Sequence, residues 1–259
     1  MTAAAEAPKT RRRWPIVLAI VAVVVVAALV AAFFIADSIA RSTGERLVAE
    51  KFAEKLSSEE GTTVSPDDID VRIGGASVIA QYLGGSFESV HVDADGIAFD
   101  GTPLDVAIQA NGVPTDMSKP VNTVTGSVSF DQAGLDSLLQ KNGTDADIKL
   151  GDETVTYTAS QTFLGVPLSF TLTAEPSTTT DSLVFTPTSG ELAAGSAAID
   201  VSGLIDAVLA DNTVSFCIAD QIPAGVDLSG ADVAPDSVTV RFQARDLIIA
   251  DLAQTGSCS

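Results

Sequence analysis

The sequence predicts an α+β protein: a mostly antiparallel, curved β-sheet with a longer N-terminal amphipathic helix and short helices, internally duplicated. Three observations predict it. An apolar run near the N-terminus passes into residues at helical spacing. From Thr62 onward the hydrophobic period falls to two. The same order of strand and helix segments then occurs twice.

The apolar run, Ile16 to Ala36, is 21 residues without charge, Gly or Pro. As a helix it would be about 31 Å long, against a bilayer core of about 30 Å. Lys9, Arg11, Arg12 and Arg13 precede it. The positive-inside rule therefore keeps residues 1–15 in the cytoplasm and exports residues 37–259. The expected organisation is a basic cytoplasmic tail (1–15), a transmembrane anchor or uncleaved signal (16–36) and one extracytoplasmic domain (37–259). A signal peptide cleaved after Ser38-Ile39-Ala40 is the alternative, although its apolar stretch would be shorter, about 7–15 residues. Either way the domain is exported.

Charge narrows the partners. The chain has a formal net charge of −20, with 14 basic and 34 acidic residues. Four basic residues and one acid precede Ile16, so the exported part carries ten basic residues and 33 acids, a net −23. That argues against nucleic acid and against headgroup capture by a polybasic patch. The two cysteines, Cys217 and Cys258, fit an oxidising compartment and are expected to form one disulfide; two free thiols are the alternative.

Beyond the apolar run, Ile39, Thr43 and Leu47 fall four apart, as do Val48, Phe52 and Leu56. Arg41–Glu45, Arg46–Glu50 and Lys55–Glu59 are opposite charges at i,i+4. This predicts an amphipathic helix that leaves the membrane, ends near Gly61 and docks on the segments C-terminal to it. Ile69, Val71 and Ile73 then alternate as a strand that Gly74-Gly75 ends. Val78, Ile79, Tyr82 and Leu83 share a face of a short helix closed by Gly84-Gly85. Val90, Val92 and Ala94, the Asp95-Gly96 pair, then Ile97 and Phe99 read as a hairpin.

The duplication starts at this point. Gly101-Thr102-Pro103-Leu104 with Val106, Ile108 and Ala110 matches Gly165-Val166-Pro167-Leu168 with Phe170, Leu172 and Ala174. A strand precedes each copy, and a strand-to-helix unit comes after each. Asp131 is the expected cap of the first helix, and Asp200 or Ser202 that of the second. A third hairpin is expected over Val240 to Ile249.

Catalytic patterns are missing. The single histidine, His91, lies between two strand valines, and the two cysteines are far from it in sequence, which does not support a His/Cys zinc site. Asp93-Ala94-Asp95-Gly96 matches only part of a calcium loop and reads as a turn; Asp67, Asp68 and Asp70 read as loop and strand surface. No nucleophile elbow, phosphate loop or dinucleotide fingerprint occurs. Neither an enzyme nor a cofactor is expected. The remaining signal is apolar surface: alternation makes one sheet face apolar, either as core or as the lining of a cavity for an apolar ligand. Val78, Ile79, Tyr82, Leu83 and Phe87, with Phe163 and Leu164 beside the second repeat, are the candidate groove residues.

Val71-Arg72-Ile73-Gly74-Gly75, the stretch Tyr82-Leu83-Gly84-Gly85-Ser86-Phe87-Glu88-Ser89-Val90, the segment Phe216-Cys217-Ile218-Ala219 and the run Ile222-Pro223-Ala224-Gly225-Val226-Asp227-Leu228 resemble the actinobacterial LmeA-like phospholipid-binding proteins. The resemblance spans about residues 37–255. It implies a fold related to the tubular lipid-binding superfamily, in which a curved sheet wraps a helix and leaves an apolar groove. It also implies an envelope protein that binds phospholipid, phosphatidylinositol included, and that in mycobacteria supports mannan elongation of lipoglycans. The departure lies at Ala76 to Gln81, where the family often carries a Phe-Pro-Phe-Leu-like turn; this puts the lipid preference in question. The expected function is thus a membrane-anchored, exported phospholipid-binding protein that supports envelope assembly, with envelope proteins as further partners. The alternative is a non-catalytic interaction module with a filled core.

Overall fold

A computed structural model describes residues 14–57, 64–99, 102–141, 147–163, 166–194, 197–200 and 213–258. The first element, α1 (Trp14–Ser57), is one uninterrupted helix of 44 residues, about 66 Å long. Residues 25–36 are exposed throughout, and the helix is long and apolar enough to cross a membrane. Its second half lies on the first sheet. Ala49 and Ala53 are buried there, with Phe52 and Leu56 packed around them.

The docked face agrees with the expected one at Phe52 and Leu56 and differs from it nearer the apolar run: Ile39, Leu47 and Val48 are exposed, and small residues take the contact there. The reason is close approach: a Cβ on Gly44 would stand 3.3 Å from Ile73 Cδ1. Arg41 and Glu45 do not serve as a surface pair. The Arg41 guanidinium donates to the carbonyls of Ile73 and Gly75, and the Glu45 carboxylate accepts the Ile73 N–H at 2.9 Å. Of the expected pairs, Arg46–Glu50 forms, at 3.0 Å on the surface, while Glu59 lies outside the described residues.

The first sheet has the order β1-β2-β3-β4-β12-β11, all antiparallel. Its strands are β1 (Ile69–Ile73), β2 (Ser86–Phe99), β3 (Thr102–Pro114), β4 (Pro120–Asp131), β11 (Val226–Ala234) and β12 (Ser237–Ile248). Between β1 and β2 stands α2 (Val78–Gly84), closed as expected by Gly85 in the left-handed conformation, φ 85°. The second sheet has the order β10-β8-β7-β6-β5, with β9 on β8. Its strands are β5 (Asp147–Leu150), β6 (Val155–Phe163), β7 (Val166–Thr178), β8 (Ser182–Ala194), β9 (Ala197–Asp200) and β10 (Val214–Cys217), and α3 (Gln132–Lys141) leads into it.

The duplication is therefore topological. Helix, edge strand and three-strand meander occur as α1-β1-β2-β3-β4 and again as α3-β5-β6-β7-β8. Pro103-Leu104 opens β3 where Pro167-Leu168 opens β7. Asp131 caps α3, its Oδ1 accepting the Gly134 N–H at 2.7 Å. Asp200 closes β9, and Ser202 and the expected second helix lie outside the described residues.

Two expected hairpins are corrected. Asp95-Gly96 does not turn the chain: β2 runs through it with a shift of register between Ala94 and Ile97. Gly96, at φ 64°, donates its N–H to Asp105 Oδ1 at 2.7 Å. A bulge needs the same positive φ as a tight turn, so the dipeptide suits both. Likewise Val240 to Ile248 forms one strand, and the hairpin there is β11–β12 instead, turning at Pro235-Asp236.

The two sheets join at β11 and at α3. The Leu228 N–H reaches the Thr180 carbonyl at 2.9 Å, and the Glu153 N–H reaches the Val233 carbonyl at 3.0 Å. Gln132 acts as a splice: its Nε2 donates to the Ile148 carbonyl at 2.7 Å, and its Oε1 accepts the Leu150 N–H at 2.9 Å. Cys217 and Cys258 form a disulfide, Cα–Cα 5.9 Å, that holds the C-terminal segment against β10.

Candidate lipid-binding faces

Strand register sorts each sheet into a polar and an apolar face. In the second sheet, Tyr157, Leu172 and Gly190 align across β6, β7 and β8, as do Ala159, Phe170 and Leu192. Between these rows lie hydroxyl pairs on the opposite face: Thr156–Thr173 at 3.2 Å and Thr158–Thr171 at 3.4 Å. In the first sheet, Val92, Ile108, Gly126 and Phe242 align, as do Ala94, Val106, Val128 and Val240 where the rows cross β2, β3, β4 and β12. The opposite face there carries Arg72, His91, Gln109, Thr125 and Gln243.

The apolar face of the first sheet is unevenly covered. Under α1 it is core: Ile69, Val71, Val92, Ala94 and Ile97 are buried together. Farther across, Val124, Val128, Val240 and Phe242 are only half-buried. Gly126 makes room for the Phe242 ring, since a Cβ there would stand 2.4 Å from its Cζ. In the second sheet Phe170, Leu172 and Phe185 are half-buried, Leu192 is 37% exposed and Phe216 is 55% exposed. The Phe185 and Phe216 rings meet edge to face, centroids 5.9 Å apart. Apolar surface of this extent, alternating with polar residues on the same strands, suits an apolar ligand or partner.

The seven residues singled out from the sequence are distributed differently. Val78 is buried, Ile79 is half-buried, and Tyr82 and Leu83 are 62% and 80% exposed, so the four do not share a docked face. Val78 lies in the first turn of this seven-residue helix and Tyr82 and Leu83 in its last, so their shared side is buried only at the first turn. Phe87 is half-buried on β2, where alternation places it on the His91 side, opposite Val90. Phe163 belongs to the other sheet, where it ends β6 opposite Val166, and Leu164 lies outside the described residues. The α2 group and Phe163 thus belong to elements of different sheets.

Asp37 was not among those seven and is the most constrained acid at this end. It is the first residue past the apolar run, is 5% exposed, and accepts the Ser77 Oγ–H at 2.7 Å and the Ile79 N–H at 2.9 Å. Ser77 in turn caps α2 through the Ala80 N–H at 3.1 Å. The Ile79 amide, the Ser77 hydroxyl and nearby Arg41 hold the Asp37 carboxyl below its ordinary range. An acid placed directly after an apolar run is the one signal in the sequence that points to it.

A crevice of about 570 Å³ opens between α1 and β1, lined by Glu45, Glu50, Asp67 and Asp70 among others. Its carboxylates do not suit an acyl chain. Asp70 and Asp93 both pair with Arg72, at 2.7 and 3.2 Å. Among the described residues, no group of three or more His, Cys, Asp or Glu side chains could hold a metal ion.

Two duplicated antiparallel sheets, each with one incompletely covered apolar face, have the layout of a protein that binds apolar molecules. The chain belongs to the LmeA-like phospholipid-binding family, whose model matches residues 35–243. No curated protein and no solved structure matches it.

Proposed function

We propose that this chain is a membrane-anchored phospholipid-binding protein of the cell envelope, with residues 37–259 forming an extracytoplasmic domain. Acyl chains lie on the half-buried apolar face that runs over β4 and β12 and recurs on β6, β7 and β8. The observation that carries this reading is the contrast within one sheet: the apolar face is core beneath α1 and only half-buried at Val124, Val128, Val240 and Phe242 on β4 and β12. Each CH₂ group transferred to such a face gains about 0.8 kcal/mol, so acyl burial can outweigh the acidic character of the domain. The protein carries or presents lipid, phosphatidylinositol included, for envelope lipid or lipoglycan assembly and performs no chemistry on it. The disulfide and the apolar N-terminal helix support an exported, oxidising location.

Native mass spectrometry of the full chain purified from membranes, followed by solvent extraction and lipid analysis, tests this reading. Phospholipid bound at close to one molecule per chain is expected. An apo mass that takes up no added phospholipid would overturn it.

A further inference from the structure

Leu83 is the most exposed large apolar side chain described, at 80%, with Tyr82 at 62% and Met117 at 57%. These residues sit at one end of the first sheet. Thr115 donates both its N–H (3.0 Å) and its Oγ1–H (3.2 Å) to the Gly85 carbonyl, which ties the β3–β4 turn to the C-terminus of α2. The N-terminus of α2 is tied to α1 by Asp37, through Ser77 and the Ile79 N–H. Asp37 directly follows the exposed apolar stretch of α1. Seven helical residues span about 10 Å, so the tip of α2 stands within about 10 Å of the point where α1 leaves its apolar run. The headgroup layer beside a bilayer core is about 5–8 Å thick on each side.

We propose that the tip of α2 and the β3–β4 turn form a bilayer-contact surface, on which Tyr82, Leu83 and Met117 enter the headgroup layer of the membrane that α1 spans. This rests on the anchored reading above. The apolar surface of α1 and this tip are joined through the Asp37 contacts, which makes the bilayer the occupant rather than a soluble partner. The chemistry suits that boundary: a tyrosine presents an apolar ring with a polar hydroxyl, as residues at membrane interfaces do. The surface is where lipid would pass between bilayer and domain.

The test uses the full chain in phosphatidylcholine nanodiscs. Trp14, the only tryptophan, is replaced by Phe, and a reporter is introduced as Leu83→Trp, Met117→Trp or, at the opposite end of the sheet, Asp236→Trp. Discs of acyl-brominated phosphatidylcholine should quench the first two reporters and leave the third unchanged. Equal emission of all three in brominated and ordinary discs would overturn the assignment, even where native mass spectrometry shows bound phospholipid. Quenching retained after transfer to detergent with only the bound lipid brominated would also overturn it, by placing the residues against bound lipid instead. Quenching confined to the discs, with no bound lipid in the mass spectrum, would support the surface and remove the binding reading.

Discussion

The Asp37 carboxylate accepts the backbone N–H of Ile79 at 2.9 Å, across 42 positions of sequence. This one contact fixes a short helix to the point where a long one leaves its apolar run. Asp37→Ala should free α2, seen as faster hydrogen exchange at the Ile79 amide, while Asp37→Asn, which keeps an acceptor, should lose less. The carboxyl titrates below its ordinary 3.8. Its contribution to stability is therefore complete above that value and disappears as pH falls through the lower, folded-state value. Protection of the Ile79 amide, taken relative to the intrinsic exchange rate at each pH, should stay constant near neutrality and fall only in strong acid; loss of protection near pH 6 would contradict the contact.

Gln132 completes the edge of β5 with both ends of its amide. Gln132→Ala leaves the Ile148 carbonyl and the Leu150 N–H without that partner. A loss of about 1–3 kcal/mol in chemical denaturation is expected, with an unchanged denaturant slope.

The Cys217–Cys258 bridge closes a separation of 41 residues. Chain entropy assigns such a loop about 4 kcal/mol. The paired Cys217→Ser and Cys258→Ser variant should be less stable by about 2–4 kcal/mol, and the Ala224 and Gly256 amides should lose exchange protection first.

The two faces of the second sheet can be separated by single substitutions. Leu192→Asp, on the apolar face, should weaken phospholipid binding roughly tenfold, the equivalent of about two buried CH₂ groups. Ser189→Asp, exposed on the opposite face, should leave it unchanged. Lipid titration monitored by native mass spectrometry measures both. Equal effects would show that binding does not distinguish the faces.

Leu83→Asp should change stability by no more than about 0.5 kcal/mol, because the side chain is largely in solvent. It should slow lipid uptake from vesicles without lowering the final amount bound. Loss of folding would place Leu83 in the core instead.

Local periodicity made much of this fold legible. The strand Ile69–Ile73, the helix ending at Gly85, the Asp131 cap and the repeated meander all arise from residues near one another in sequence. The face by which α1 docks was legible at Phe52 and Leu56 but not at Gly44, Ala49 and Ala53, which close approach selects and whose small side chains carry little hydrophobic signal. Asp95-Gly96 was legible as a positive-φ site but not as a bulge rather than a turn. The roles of Asp37 and Gln132 depend on partners 42 and 18 positions away, which no local pattern encodes. For the site, alternation identified an apolar face, but which part α1 leaves uncovered is a tertiary fact.

Because α1 is continuous and clasped to β1 through Arg41 and Glu45, it behaves as a lever rather than a leash. An apolar helix answers bilayer thickness by tilting. In a thin membrane α1 would lean, in a thick one it would stand upright, and the sheet clamped to it would rock through the same angle. With α1 anchored as proposed, membrane thickness would become an input that sets how the apolar faces are presented to the lipid surface beneath them.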